Sequence, residues 1–165
     1  MLVILGEALS LQLQGMAISI WEVSVTDAPL ESAALPNDAH CGAVVEFWGV
    51  VRASEDGREI EGIEYEVHRA MAEHQMNLLA QKAATEFSLA QLVLRHRVGF
   101  VKVGEASLFL RAASRHRSAA FVASEWLIDE LKRKVPIWKR PIFKEDGAAK
   151  FPDSARVLQP SAEPT

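Results

Sequence analysis

The segment LKRKVPIWKRPIFK, residues 131–144, carries six basic side chains and no acidic one. They are Lys132, Arg133, Lys134, Lys139, Arg140 and Lys144, set around Trp138 and two prolines. The chain as a whole has a net charge of −4, so this concentration calls for an anion. Lys132, Arg133 and Lys134 fall in the last turn of a helix, where cations complement the helix dipole. Lys139 and Arg140 lie beyond Pro136 in an extended segment and have no such structural reason. Clustered cations disfavour one another's charged forms, so a lysine placed there can act as general base, nucleophile or oxyanion stabiliser.

A second candidate is SRHRS, residues 114–118, at the start of the same helix. A helix N-terminus presents unpaired N–H groups and partial positive charge, and phosphate is its usual guest. His116 and Arg117 would complete such a site. Arg115 and Arg117 stand at the wrong end of a helix for stability, which favours a role in binding; Ser114 or Ser118 offers a cap. A third candidate is Arg52, at the lip of a polar loop directly after a strand.

The remaining ionisable groups read as structural. Glu64 and Glu66 share one strand face and read as solvated. The five histidines show no metal-ligand spacing, and His68 and His74 fall on different helical faces, so no metal site is expected. GFVKVG lacks the pattern and the strand-to-helix context of a phosphate loop.

The elements that must position these residues follow from periodicity and breakers. Strands are predicted at 16–25, 42–51, 60–67, 91–98 and 105–113, with helices at 69–87 and 116–135. A short helix after Asp27 and a short strand near 149–151 are further possibilities. Pro136 stops the second long helix. The strands at 42–51 and 60–67 are expected to form a hairpin around a long loop that contains Asp56-Gly57. Strand runs stand next to one another, with no regular strand–helix alternation. That predicts an α+β fold, mainly antiparallel, with two long helices. Residues 1–15 read as an extension outside the fold, 16–151 as one domain, and the polar, Pro-rich 152–165 as a flexible tail.

Composition narrows the function classes. A chain of 165 residues, 49% hydrophobic and 24% charged, suits one globular domain. Its single cysteine, Cys41, cannot form an internal disulfide and reads as a small apolar residue, which fits a reducing, cytoplasmic setting. No apolar run reaches the roughly 18 residues needed to cross a bilayer, and the N-terminus lacks the basic start of a signal peptide. Residues 114–144 carry a net +5, which leaves −9 for the rest of the chain. That imbalance suits a local pocket for a small anion and argues against nucleic acid, whose binders present a broad basic face. The competing readings are an anion- or nucleic-acid-binding module using 131–144, and a pure interaction subunit docking through Trp138 and Ile142. Along one helix Arg117 and Lys132 lie roughly 22 Å apart, so a small anion cannot touch both. Either they serve separate sites, or two chains meet in a two-fold dimer with composite pockets.

Three separated motifs, FWGVVR (47–52), SRHRSAAF (114–121) and LKRKVPIWKR (131–140), resemble the large, catalytic subunit of molybdopterin synthase in their order and spacing. The resemblance covers about residues 16–151. It implies an α/β-hammerhead fold, a central homodimer, and a small ubiquitin-like sulfur-carrier subunit docked at each end to give a heterotetramer. It implies no permanently bound cofactor: sulfur arrives as the thiocarboxylate of the carrier's C-terminal Gly-Gly. The implied substrate is cyclic pyranopterin monophosphate (precursor Z), which receives two sulfurs to become the dithiolene of molybdopterin. The implied catalytic residues are Lys132 and Lys139. Substrate contacts are implied for Val50, Val51, Arg52, Lys132, Lys139, Arg140 and Pro141, and for His116 and Arg117 reaching the phosphate from the neighbouring subunit. Ala53 and Pro141 depart from the family pattern, which more often has polar residues there.

Overall fold

The structure is a computed structural model that describes residues 20–34 and 38–144. Expectations for residues 1–19, for a strand near 149–151 and for the tail lie outside the described residues. Eight strands and two helices are described: β1 (Ile20–Thr26), β2 (Ala43–Val50), β3 (Ser54–Glu55), β4 (Arg58–Val67), α1 (Arg69–Glu86), β5 (Leu89–Arg97), β6 (Gly99–Lys102), β7 (Ala106–Ser114), α2 (Arg117–Lys134) and β8 (Ile137–Phe143). The α+β class is as expected. No helix forms in residues 27–34, where a short one was expected after Asp27.

One sheet has the order β1-β5-β7-β2, and a second has the order β3-β4-β6 with β8 added on β4. Pairing is antiparallel except between β1 and β5, which run parallel. That parallel pair is joined by a long connection that runs through β2, β3, β4 and α1. The expected hairpin of 42–51 with 60–67 does not form. β2 pairs with β7, while β4 pairs with β6 and β8. The Asp56-Gly57 signal instead makes a much smaller hairpin, β3 with β4. Both residues have positive φ, 51° and 77°, the geometry of a tight two-residue turn.

Both helices pack on the first sheet, α1 over β1 and β5, and α2 over β7 and β2. Their buried residues recur at helical spacing: Ala72, Met76, Leu79, Ala80, Ala83 and Ala84 in α1, and Ala120, Ala123, Ser124, Leu127, Glu130 and Leu131 in α2. Small residues at these positions let helix and sheet approach closely. Leu92, Leu94, Leu110 and Leu127 are fully buried between them. Each contributes about 1.5–3 kcal/mol of hydrophobic stabilisation. A second, smaller core of Val51, Ile60, Ile63 and Val101 belongs to the other sheet.

One buried charge belongs to the scaffold. Arg111 on β7 is buried, faces Glu46 across the β2–β7 ladder, and donates from Nε to its Oε1 at 2.9 Å. It also donates to Ser32 Oγ at 3.1 Å and to the Ala34 carbonyl, which ties the connection after β1 to the sheet. The Arg111 guanidinium holds the Glu46 carboxyl below its ordinary value of 4.5 against the opposing effect of burial.

Candidate functional site

Where the C-terminal end of α2 meets the second sheet, the fold encloses a cavity of about 600 Å³. Helix α2 and its cap contribute Ile128, Leu131, Lys132 and Val135. Those positions follow the i, i+3, i+4, i+7 stripe of one helix face. Of the three consecutive cations there, Arg133 and Lys134 pair with the buried Glu130. Lys132 turns into the cavity and forms no ion pair among the described residues. The dipole explanation therefore suffices for two of the three.

Strand β8 contributes Ile137 and Lys139 through its two-residue alternation. The same alternation sends Arg140 to the opposite face, where its Nε lies 3.7 Å from Glu66. Pro141 stands opposite Ile63 in the β4–β8 ladder and does not line the cavity. Neither residue thus meets the cavity, although the sequence grouped both with the lysines. Proline is tolerated because β8 pairs only with β4 among the described residues.

Phe47, Gly49, Val50, Val51 and Arg52 enter from β2 and its end. The register shifts between Gly49 and Val50, so that Ser107 is an extra residue on β7. Bulges of this kind re-aim side chains beside sites. Ser107 Oγ donates to the Gly49 carbonyl at 3.3 Å. Val51 is fixed by backbone bonds, donating to the Glu105 carbonyl at 3.0 Å and accepting from Gly104 at 2.9 Å. Arg52 is thereby delivered to the cavity rim.

Three lining groups were not singled out from sequence. Glu55 accepts from Arg52 Nη2 at 3.1 Å and from Lys139 Nζ, and joins two cations 87 residues apart in the chain. Lys139, and to a lesser degree Arg52, hold its carboxyl below the ordinary 4.5. The clustering of like charges inferred from sequence is thus offset by an acid. Tyr65 meets His96 edge-on, with ring centroids 5.3 Å apart. His96 Nδ1 lies 2.8 Å from the Arg97 carbonyl, which can only accept. The proton is therefore on Nδ1, and Nε2 of the neutral ring is an acceptor. Burial pushes the His96 pKa below 6.5, against the raising effect of that backbone bond. No local pattern marks these three residues, since a carboxylate beside a turn and a histidine within a strand are usual surface and core features.

His116 and Arg117 do not reach this cavity. His116 is the exposed, extended N-cap of α2, with φ −131° and ψ 141°, and makes no side-chain cap. Neither Ser114 nor Ser118 caps the helix; Ser114 Oγ donates to the His116 carbonyl at 2.7 Å. The length of α2, roughly 25 Å, separates the two basic groups within one chain. Cys41 is half-buried, with its Sγ 3.5 Å from the carbonyls of Ala43 and Ser114 and away from the cavity. No group of three or more His, Cys, Asp or Glu among the described residues could hold a metal ion.

These features define a small α+β domain with a cation-rimmed, largely apolar-walled pocket, suited to an organic ligand bearing anionic groups. Residues 24–134 match the family model described as MoaE protein, and the chain belongs to that family. It is 35% identical over 115 residues to the molybdopterin synthase catalytic subunit of Pyrococcus abyssi, covering 70% of this chain and 78% of the relative. It is 39% identical over 110 residues to the catalytic subunit of Oryza sativa subsp. indica, covering 67% of this chain and 56% of the relative. The chain therefore spans little more than half the length of the rice protein. The crystal structure of molybdopterin synthase from Staphylococcus aureus superposes with a TM-score of 0.67 at 27% identity, covering 73% of this chain and 90% of that one. A complex of subunits 1 and 2 of the molybdopterin-converting factor from Helicobacter pylori contains a chain that superposes with a TM-score of 0.53 at 25% identity, covering 66% and 75%. Family membership places the chain among the sulfur-transferring enzymes of molybdenum-cofactor biosynthesis.

Proposed function

We propose that this chain is the subunit that transfers sulfur from a thiocarboxylated small carrier protein to cyclic pyranopterin monophosphate, building the molybdopterin dithiolene. The observation that carries the reading is the convergence of Arg52, Lys132 and Lys139, from three distant parts of the chain, on one cavity of about 600 Å³. The carrier's thiocarboxylate is an anion, and so is the pterin's cyclic phosphate. Arg52 and Lys139 attract and orient these groups through charge-assisted hydrogen bonds. Lys132 carries no counter-ion among the described residues and lines the cavity. It stabilises negative charge that develops as sulfur adds to the pterin side chain, and donates or accepts the accompanying proton. Val50 and Val51 shape the wall beside Arg52. Sulfur comes from the carrier, so Cys41 has no part in the chemistry.

The working assembly is a homodimer with a small carrier subunit at each end, in the cytoplasm. The complex of two converting-factor subunits from Helicobacter pylori supports a small protein partner. His116 and Arg117, remote from the pocket in their own chain, serve the phosphate of a second copy's substrate at the N-terminus of α2. Arg140 and Pro141, grouped with the lysines by the resemblance, lie outside the cavity and take no substrate contact in this reading.

Reconstitution tests this reading. The purified chain, a thiocarboxylated carrier and cyclic pyranopterin monophosphate are expected to yield molybdopterin, detected as its oxidised fluorescent derivative. Lys132→Ala should lower the yield by about 10²-fold or more, the scale of losing an electrostatic or acid–base group. Undiminished product from that variant refutes the role given to Lys132. No product from the native chain with a carrier that binds it leaves an anion-binding module, whose affinity would fall steeply with salt.

A further inference from the structure

The acid in the pocket has no place in the scheme above. Glu55 is only 11% exposed in its side chain, whereas its partners Arg52 and Lys139 are 77% and 55% exposed. It sits on the two-residue strand β3, fixed by the tight turn at Asp56-Gly57 and by the bond from Ile60 N–H to the Ala53 carbonyl at 3.0 Å. A carboxylate placed by surface chance would be the more solvated partner, and here the order is reversed.

Each cation meets the carboxylate through a single oxygen: Oε2 takes one N–H from Arg52, and Oε1 takes Lys139. The other donors of both cations make no further hydrogen bond among the described residues. A phosphate presents more oxygens and can engage a guanidinium through two bonds at once. A weaker anion cannot match the carboxylate, which is tethered and needs no entropy of association. With Glu55 ionised, the three cations of the cavity keep a net charge of about +2.

We propose that Glu55 is a tethered competitor for the anion subsite formed by Arg52 and Lys139, a specificity residue that admits phosphate-class anions and turns away weaker ones. The idea rests on the sulfur-transfer reading for the identity of the natural ligand, but its test does not require turnover. Inorganic phosphate is titrated calorimetrically into the full 165-residue chain at constant ionic strength. Glu55→Gln should bind phosphate about fivefold more tightly than the native chain, the effect of removing one charge some 4 Å away in a solvated site. The gain should vanish when Arg52 and Lys139 are both replaced by Ala. Glu55→Ala, checked by thermal melting, should behave in the same way and guards against a disturbance peculiar to glutamine. Unchanged or weaker binding in both variants overturns the proposal and makes Glu55 a brace for Lys139; a gain that survives the loss of both Arg52 and Lys139 overturns it too. Failure of the sulfur-transfer reading would appear in the reconstitution and leave these affinities as they are.

Discussion

A single neutral ring shows how position sets chemistry at the residue scale. His96 is held uncharged by burial, with its Nδ1 proton committed to the Arg97 carbonyl. In the unfolded chain it takes up a proton near pH 6.5, whereas the folded chain resists until lower pH. Between those values the unfolded state binds more protons, so stability falls as pH drops below 6.5 and levels off beneath the folded-state value. Urea midpoints at pH 7.5 and 5.5 should therefore differ more for the native chain than for His96→Asn. Equal slopes would show that the ring titrates freely. Lys132 illustrates the same point for a cation. Its neighbours Arg133 and Lys134 both pair with Glu130, and the residue on the inward face of α2 is left for the pocket.

At the scale of elements, the pocket depends on how closely β4, β6 and β8 approach. Gly62 of β4 is buried opposite both Lys102 and Ile142. A Cβ there would strike the Val101 carbonyl oxygen and come within 2.7 Å of the Phe100 ring. Gly62→Ala should cost roughly 1–3 kcal/mol through overpacking, read as a lower denaturation midpoint. Because β4 also carries Ile63 and Tyr65 into the cavity and orders Lys139 across the ladder, activity should fall along with stability. Native stability and activity in this variant would mean that the strands separate freely. The elements themselves were largely legible. The run AVVEFWGV, the two helical stripes and the stop at Pro136 each state a local preference that the fold keeps. The misassigned hairpin shows where that legibility stopped. Two neighbouring strands suggested a pair, yet the Asp56-Gly57 turn served only the short β3. β2 was taken instead by β7, whose Arg111 meets Glu46.

For the whole molecule, the separation of the two basic groups along α2 makes assembly part of the site. If His116 and Arg117 serve the pocket of a second copy, Lys132→Ala and Arg117→Ala chains mixed and allowed to exchange should complement. Half of the dimers would be mixed, each with one pocket free of both substitutions. Activity should then recover to about a quarter of the native level, in the reconstitution assay, from two inactive parents. No recovery, with subunit exchange verified, would mean that Arg117 acts within its own chain or not at all in this reaction. The sequence by itself determined the class of the fold and the helix that bears basic residues at both ends, because residue type and short spacing are local properties, and it brought Arg52, Lys132 and Lys139 forward as candidates. Only the tertiary structure decided which cations converge, that Arg140 turns away from Lys139, and that Glu55, Tyr65 and His96 join the cavity. Those outcomes depend on strand partners and register, which are set by non-local packing across 56 to 83 residues and leave no periodic trace in the chain.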